Sequence, residues 1–337
     1  MTGFHDRAKL KIKFIENMFR YRPLLTVVCF LLLPGIALSQ IKGNSTFRII
    51  PLGVMGGIDE SNLSAYMVAA TGTNNYVCLD AGTLHYGIER AIDHKVFAIP
   101  AEQVLRQYIK GYFISHAHLD HIAGLIINSP DDTAKTIYAL GSTIETIKKD
   151  YFTWESWANF ADDGEAPALK KYHYQILAPD TTISIKNTAM TVKAFPLSHS
   201  NLTSTAFLLN SNGAYILYLG DTGPDEIEKS YNLHILWQAI APLVKNRTLK
   251  AIMIETSFPD EQPDKTVFGH LTPRWLMNEM HDLAALTGNS SLKGFKVIIT
   301  HVKPPLTNIT TLKTQLKAEN DLQLNLIFPQ QGRAIDL

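Results

Sequence analysis

Ser115-His116-Ala117-His118-Leu119-Asp120-His121 crowds three imidazoles and a carboxylate into one short stretch, directly after the apolar run Tyr112-Phe113-Ile114. These side chains carry the donors that proteins use for zinc and related divalent ions. A strand ending in a loop can turn His116 and His118 to one side while Asp120 and His121 reach the other, which suits two adjacent ions better than one. A solvated turn would also accept four polar residues, but the density and spacing favour metal. A fold that uses this stretch must bring further donors to it.

Candidates for those donors share one setting. His199 in Ser198-His199-Ser200, Asp221 in Leu219-Gly220-Asp221-Thr222-Gly223, and His301 each stand where a strand is expected to give way to a loop. Singly, each reads as a cap or a surface residue. Together with the cluster they make seven ligands: His116, His118 and His199 for one ion, Asp120, His121 and His301 for the other, and Asp221 bridging. Seven ligands leave open positions, which mark a catalytic rather than a structural site. Two ions about 3.5–4 Å apart would supply hydroxide at neutral pH and stabilise an in-line displacement at phosphorus. The cofactors expected are therefore two divalent metal ions. Zinc is the expected choice because the donors are mostly imidazole, and manganese or iron would fit the same shell.

Patterning along the chain supplies the frame. Strands are expected at 47–53, 63–70, 75–79, 112–114, 137–140, 183–185, 190–196, 204–209, 214–219, 250–254 and 295–300. Helices are expected over most of 84–110, from Ile122 onward, and over 142–150, 225–245 and 271–286, the last opened by Thr272-Pro273. Strand-rich and helix-bearing segments alternate in two similar halves, as in one α/β domain of layered sheets and helices. Gly56-Gly57 reads as a permissive turn near the site, since no Gly-Lys-Ser/Thr follows to make a phosphate loop. Asp80, at a strand end, is either an outer partner of a metal-loop histidine or a turn cap. The aromatic stretch 151–175 is either a stacking platform for a planar ligand or packing, in the core or in a homodimer interface.

The formal net charge is zero over 337 residues, so no surface for nucleic acid or anionic membranes is expected. Basic residues Lys9, Lys11, Lys13, Arg20 and Arg22 precede the apolar run Leu24 to Leu33, and Ala37-Leu38-Ser39 offers small residues for cleavage. Residues 1–39 read as a signal peptide and 40–337 as the catalytic domain, with no stable membrane anchor after cleavage and a periplasmic or secreted destination. With Cys29 inside the leader, Cys78 leaves the mature chain without an internal disulfide.

The His-x-His-x-Asp-His motif with the later His, Asp and His resembles the metallo-β-lactamase superfamily over roughly residues 46–337, which implies a four-layer αββα sandwich with a dinuclear site at one edge. Residues 116–130, from His116 to Pro130, are similar along their whole length to the signature of class II 3′,5′-cyclic-nucleotide phosphodiesterases. Gly269-His270-Leu271-Thr272-Pro273 and Thr300-His301-Val302-Lys303-Pro304 are similar to that family as well. The resemblance implies hydrolysis of cyclic AMP, and also cyclic GMP, to the 5′-nucleotide. Glu255-Thr256-Ser257-Phe258 with Gly269-His270 is similar to a pair in the superfamily's tRNA 3′-processing nucleases. By that likeness His270 serves the departing 3′ oxygen and Glu255 orients it, with Asp120 the third catalytic residue. A histidine titrating near neutrality suits general acid work. The nucleases' basic glycine-rich arm has no counterpart here. Two other readings remain: a lactonase, thioesterase or β-lactamase of the same fold, and an exported protein that sequesters metal or nucleotide.

Overall fold

The computed structural model describes residues 46–337; the expected leader, its expected cleavage point and Cys29 lie outside them. The first half of the described chain supplies six strands of one seven-stranded sheet, completed by a short strand from the chain's end, and the second half builds another seven-stranded sheet. In the first sheet, β1 (Phe47–Gly53), β2 (Ala65–Ala70) and β3 (Tyr76–Leu79) run antiparallel to their neighbours. From β3 onward every step is parallel, to β4 (Ile109–Phe113), β5 (Lys135–Ala139) and β6 (Tyr172–Ile176). Parallel steps need crossover connections. Here they are α1 (His85–Asp93) with α2 (Ala101–Gln103, extended by a wider turn to Tyr108), then α3 (Leu119–Asn128), then α4 (Gly141–Thr146, extended to Tyr151).

The second sheet repeats the plan. β7 (Thr182–Ser184), β8 (Thr191–His199), β9 (Leu202–Ser211) and β10 (Ala214–Leu219) are antiparallel neighbours. β11 (Leu249–Glu255), β12 (Lys296–Thr300) and β13 (Asn325–Ile327) then add in parallel. Their crossovers are α5 (Asp225–Glu228) with α6 (Asn232–Lys245), α7 (Pro273–Thr287) with α8 (Asn289–Leu292), and α9 (Leu306–Glu319). The short β14 (Ile335–Asp336) returns to the first sheet beside β1.

The central strands of both sheets have two apolar faces, and this dictates the layering. Phe47, Ile49, Val68, Leu79, Phe113, Phe207, Ile216, Met253 and Ile298 meet between the sheets. Ile50, Cys78, Tyr112 and Ile137 face α1 to α4, while Leu217, Ile252 and Val297 face α6, α7 and α9. The expected αββα sandwich is the fold observed.

Local differences from expectation have visible causes. The helix expected over 84–110 is two, because Lys95 turns through φ +61° and Pro100 is extended ahead of Ala101. Lys110-Gly111, expected to end that helix, lies in β4. A Cβ on Gly111 would come 3.0 Å from the Tyr138 ring on the adjoining strand, so the missing side chain makes room there. α3 starts at Leu119 rather than Ile122, which places Asp120 in its first turn, where the helix dipole favours a carboxylate. The helix expected over 225–245 breaks at Lys229, which is left-handed at φ +53°.

In the aromatic stretch, Phe152 and Tyr172 are buried under the first sheet, whereas Trp154 and Trp157 are half exposed. Their indole N–H groups donate to the Pro167 carbonyl and Ser129 hydroxyl. The core reading holds for the two buried rings.

Below this layer a buried polar knot joins three elements. Asp132 accepts from Tyr112 Oη at 2.6 Å, Tyr172 Oη at 2.9 Å and Thr133 N at 2.7 Å, and it pairs with Lys135. Burial lowers the Lys135 pKa, so its charge depends on that partner. Removing one member of a buried pair costs roughly 3–5 kcal/mol because the other charge is stranded. Asp132→Ala should therefore lose about that much in urea unfolding, and a loss under about 1 kcal/mol would show that the knot is not a stability element.

Candidate metal centre

Six strands deliver the site. β3 ends at Asp80, β4 at the 115–121 loop, β8 at His199, β10 at Asp221, β11 at Glu255 and β12 at His301. These are carboxyl ends of strands from both sheets, the edge at which α/β sheets bind ligands. All seven expected ligands converge there. Donor atoms of His116, His118, His199 and Asp221 lie within 4.8 Å of one another, as do those of Asp120, His121 and His301. Asp221 sits between the groups. Its Oδ2 is 3.8 Å from His116 Nε2 and His199 Nε2, and 3.3 Å from His121 Nε2 and His301 Nε2.

The histidines are oriented from behind. Nδ1 of His116 meets Ser115 Oγ at 3.1 Å, that of His121 meets Asp80 Oδ2 at 2.8 Å, that of His199 donates to Gly269 O at 2.8 Å, and that of His301 meets Ser257 Oγ at 3.0 Å. Each outer contact leaves Nε2 turned inward, the arrangement of a metal-ligating imidazole. His118 is reversed, with Nδ1 inward, 2.9 Å from His116 Nε2 and 3.3 Å from His199 Nε2. Asp120 Oδ2 accepts from Gly57 N at 2.8 Å and lies 3.2 Å from His301 Nε2. Gly56-Gly57 is thus a close-approach turn, and a Cβ on Gly56 would collide with the His301 ring.

Asp80 is the outer partner, not a cap. It takes Ser115 N at 2.7 Å, Ser115 Oγ at 2.8 Å and Tyr218 Oη at 2.6 Å in addition to His121. Ser115, Tyr218, Ser257 and the Gly269 carbonyl were not singled out from the sequence, since nothing local marks a serine or tyrosine as a support for a distant histidine. A signal does exist at Gly269, where φ is +75° and a Cβ would press on His199.

Electrostatics and one orphan atom test the metal reading. Burial opposes charge on His121, yet Asp221, Asp80 and Asp120 outweigh it and raise its pKa well above the usual imidazole range. The cluster therefore favours positive charge at its centre. His121 Nε2 is buried, 3.3 Å from Asp221 Oδ2, and makes no well-aligned hydrogen bond among the described residues, although buried polar atoms are normally paired. An inward nitrogen with no aligned hydrogen bond, facing carboxylates and other inward imidazole nitrogens, fits a divalent cation.

His270 and Glu255 adjoin this set. His270 Nδ1 is 2.8 Å from Glu255 Oε1, 3.3 Å from Ser257 Oγ and 3.7 Å from Asp221 Oδ2, and among the described residues the hydrogen bonds of its ring run through Nδ1. Glu255 also accepts from Thr222 N, Ser257 Oγ and Leu271 N. Burial pulls the His270 pKa down to about 4, while burial and the Asp221 charge push Glu255 up to about 7. The shift on His270 thus runs below the near-neutral range expected for it, while that on its carboxyl partner runs upward.

With this geometry in hand, comparison with known proteins decides the family. The family model for class II cAMP phosphodiesterases matches residues 98–332. This chain belongs to the class II cAMP phosphodiesterases. Among curated relatives of this family, the 3′,5′-cyclic-nucleotide phosphodiesterase of Aliivibrio fischeri is 43% identical over 91% of this chain and 97% of its own length. The crystal structure of unliganded yeast PDE1 superposes with a TM-score of 0.77 at 23% identity, covering 87% of this chain and 100% of that one. The metallo-β-lactamase fold protein YhfI of Bacillus subtilis gives 0.57 at 16% identity, over 86% and 99%. Both structural matches carry the fold, which is that of the metallo-β-lactamases.

Outer partners of metal-ligating histidines typically contribute 10–100-fold in affinity. Asp80→Asn should weaken zinc binding by that range in a chelator competition, and unchanged affinity would remove Asp80 from the site's support.

Proposed function

We propose that this protein hydrolyses 3′,5′-cyclic nucleotides, cyclic AMP and also cyclic GMP, to 5′-nucleotides at a site for two zinc ions. The observation that carries this reading is the pair of donor sets joined at Asp221 beside the His270–Glu255 dyad, in a class II chain. His116 Nε2, His118 Nδ1 and His199 Nε2 would hold one ion, and Asp120, His121 Nε2 and His301 Nε2 the other, with Asp221 serving both. When bound, such ions lower the pKa of water and offset the charge that grows on phosphoryl oxygens.

The chain's own groups do the rest. Asp120 Oδ2 is held by Gly57 N, which leaves Oδ1 to accept a hydrogen bond from the attacking water and aim it at phosphorus, the water's proton passing to solvent. The 3′ O–P bond breaks on the opposite side, where the alkoxide needs a proton. With Glu255 protonated, its O–H donates to Nδ1, so the neutral His270 ring carries its hydrogen at Nε2 and donates it to the 3′ oxygen. The Glu255 carboxyl, poised near pH 7 by its burial, resupplies the imidazole. Water is consumed, one P–O bond forms and one breaks. Export belongs to the same proposal and rests on the leader-like composition of residues 1–39.

Purified protein should convert cyclic AMP to 5′-AMP while leaving a lactone and a β-lactam untouched; absence of cyclic AMP turnover would overturn the reading. Chelation should abolish the activity and zinc restore it, with two equivalents bound by metal analysis. Given the usual 10²–10⁴-fold worth of a general acid, His270→Ala should lose at least about a hundredfold in kcat with its metal content intact. A loss under about tenfold would assign the proton to another donor.

A further inference from the structure

One cation beside this centre has no hydrogen-bond or carboxylate partner among the described residues. Lys303 lies two residues beyond His301, on a segment pinned from two sides: Gly56 N donates to Val302 O at 3.2 Å, and Lys303 N donates to Ser257 O at 3.1 Å. Its Nζ stands 5.7 Å from the centre of the Phe258 ring. Phe258 in turn meets the His270 ring edge to face, at 5.7 Å and 72°, and His270 stacks on His301 at 5.2 Å and 22°. Lys303, Phe258, His270 and His301 thus form one continuous wall. Among the described residues, the Lys303 ammonium makes no hydrogen bond and no ion pair with a carboxylate, although the residue is only half exposed.

The aromatic face explains where the ammonium is held but not what it is for, because a cation–ring contact at this distance contributes modestly. A preorganised ammonium is well placed to meet an anion. Given the phosphodiesterase reading on which this inference rests, that anion carries one negative charge before hydrolysis and close to two afterwards. The wall places Lys303 on the His270 side of the site, where the 3′ oxygen departs.

We propose that Lys303, braced by Phe258, is a phosphate-positioning residue whose ammonium engages a non-bridging phosphoryl oxygen on the leaving-group side. Losing one charge-assisted hydrogen bond costs about tenfold in affinity. In zinc-loaded protein, Lys303→Gln should therefore raise the KM for cyclic AMP and the dissociation constant of 5′-AMP about tenfold each. Binding of adenosine, which lacks the phosphate, should not change, and the salt dependence of kcat/KM should flatten. Lys303→Arg should recover 5′-AMP binding to within about threefold. Phe258→Leu, which keeps the lysine but removes its brace, should weaken 5′-AMP to a smaller degree.

Unchanged 5′-AMP affinity in Lys303→Gln at matched zinc content overturns the assignment, as does equal weakening of adenosine and 5′-AMP. If the wild type fails to turn over cyclic AMP, the proposed function falls. The lysine is then judged by inorganic phosphate: weaker phosphate binding in Lys303→Gln supports the contact and equal binding overturns it.

Discussion

One carboxylate ties this architecture together. Asp80 ends β3, takes two hydrogen bonds from Ser115 at the end of β4 and one from Tyr218 in β10, and still reaches His121. It therefore fixes the relation between neighbouring strands of the first sheet, the contact with the second sheet, and the aim of a buried imidazole. Its backbone is left-handed at φ +54°, as is that of His301, a conformation costing on the order of 1–3 kcal/mol away from glycine. Two such residues at the edge that carries the donors suggest that the surrounding packing enforces their positions.

Sandwich and site are consequences of the same sheets. Apolar residues on both faces of the strands drive the four layers, and the parallel crossovers bring strand after strand to the same edge with its carboxyl end open. Short polar loops at those ends then face each other across the sheet interface. Thr205 Oγ1 donates to Ser115 O at 2.8 Å across that interface, so the histidine loop is gripped from the second sheet as well. The same crowding makes Gly56 and Gly269 obligatory, because any side chain there would occupy the space of His301 or His199.

What was legible in the sequence follows from how local each signal is. His116 to His121 declare themselves by spacing alone. His199, Asp221 and His301 are legible because they repeat one setting, the end of a strand, even though 185 positions separate His116 from His301. Supports were harder. Asp80 read equally as a cap, and the choice depended on Tyr218, which is far away in sequence and sits in an ordinary apolar strand. His270 and Glu255 were found through family likeness, but their burial, which sets where the proton resides, was not visible. In the fold, α9 escaped notice because Ile309, Leu312 and Leu316 are its only buried positions, and β13 and β14 are too short to show a period.

The dispersal of the donors over both sheets has a consequence for biogenesis. No part of the chain lacking β12 can present the complete set, so a high-affinity cation site forms only when the second sheet closes against the first. Any ion this site takes is therefore acquired late, once folding has brought both sheets together. Because imidazole sites bind several transition metals in an order set by the ions themselves, the metal supply at that late stage would weigh beside ligand type and geometry in deciding which ion is taken.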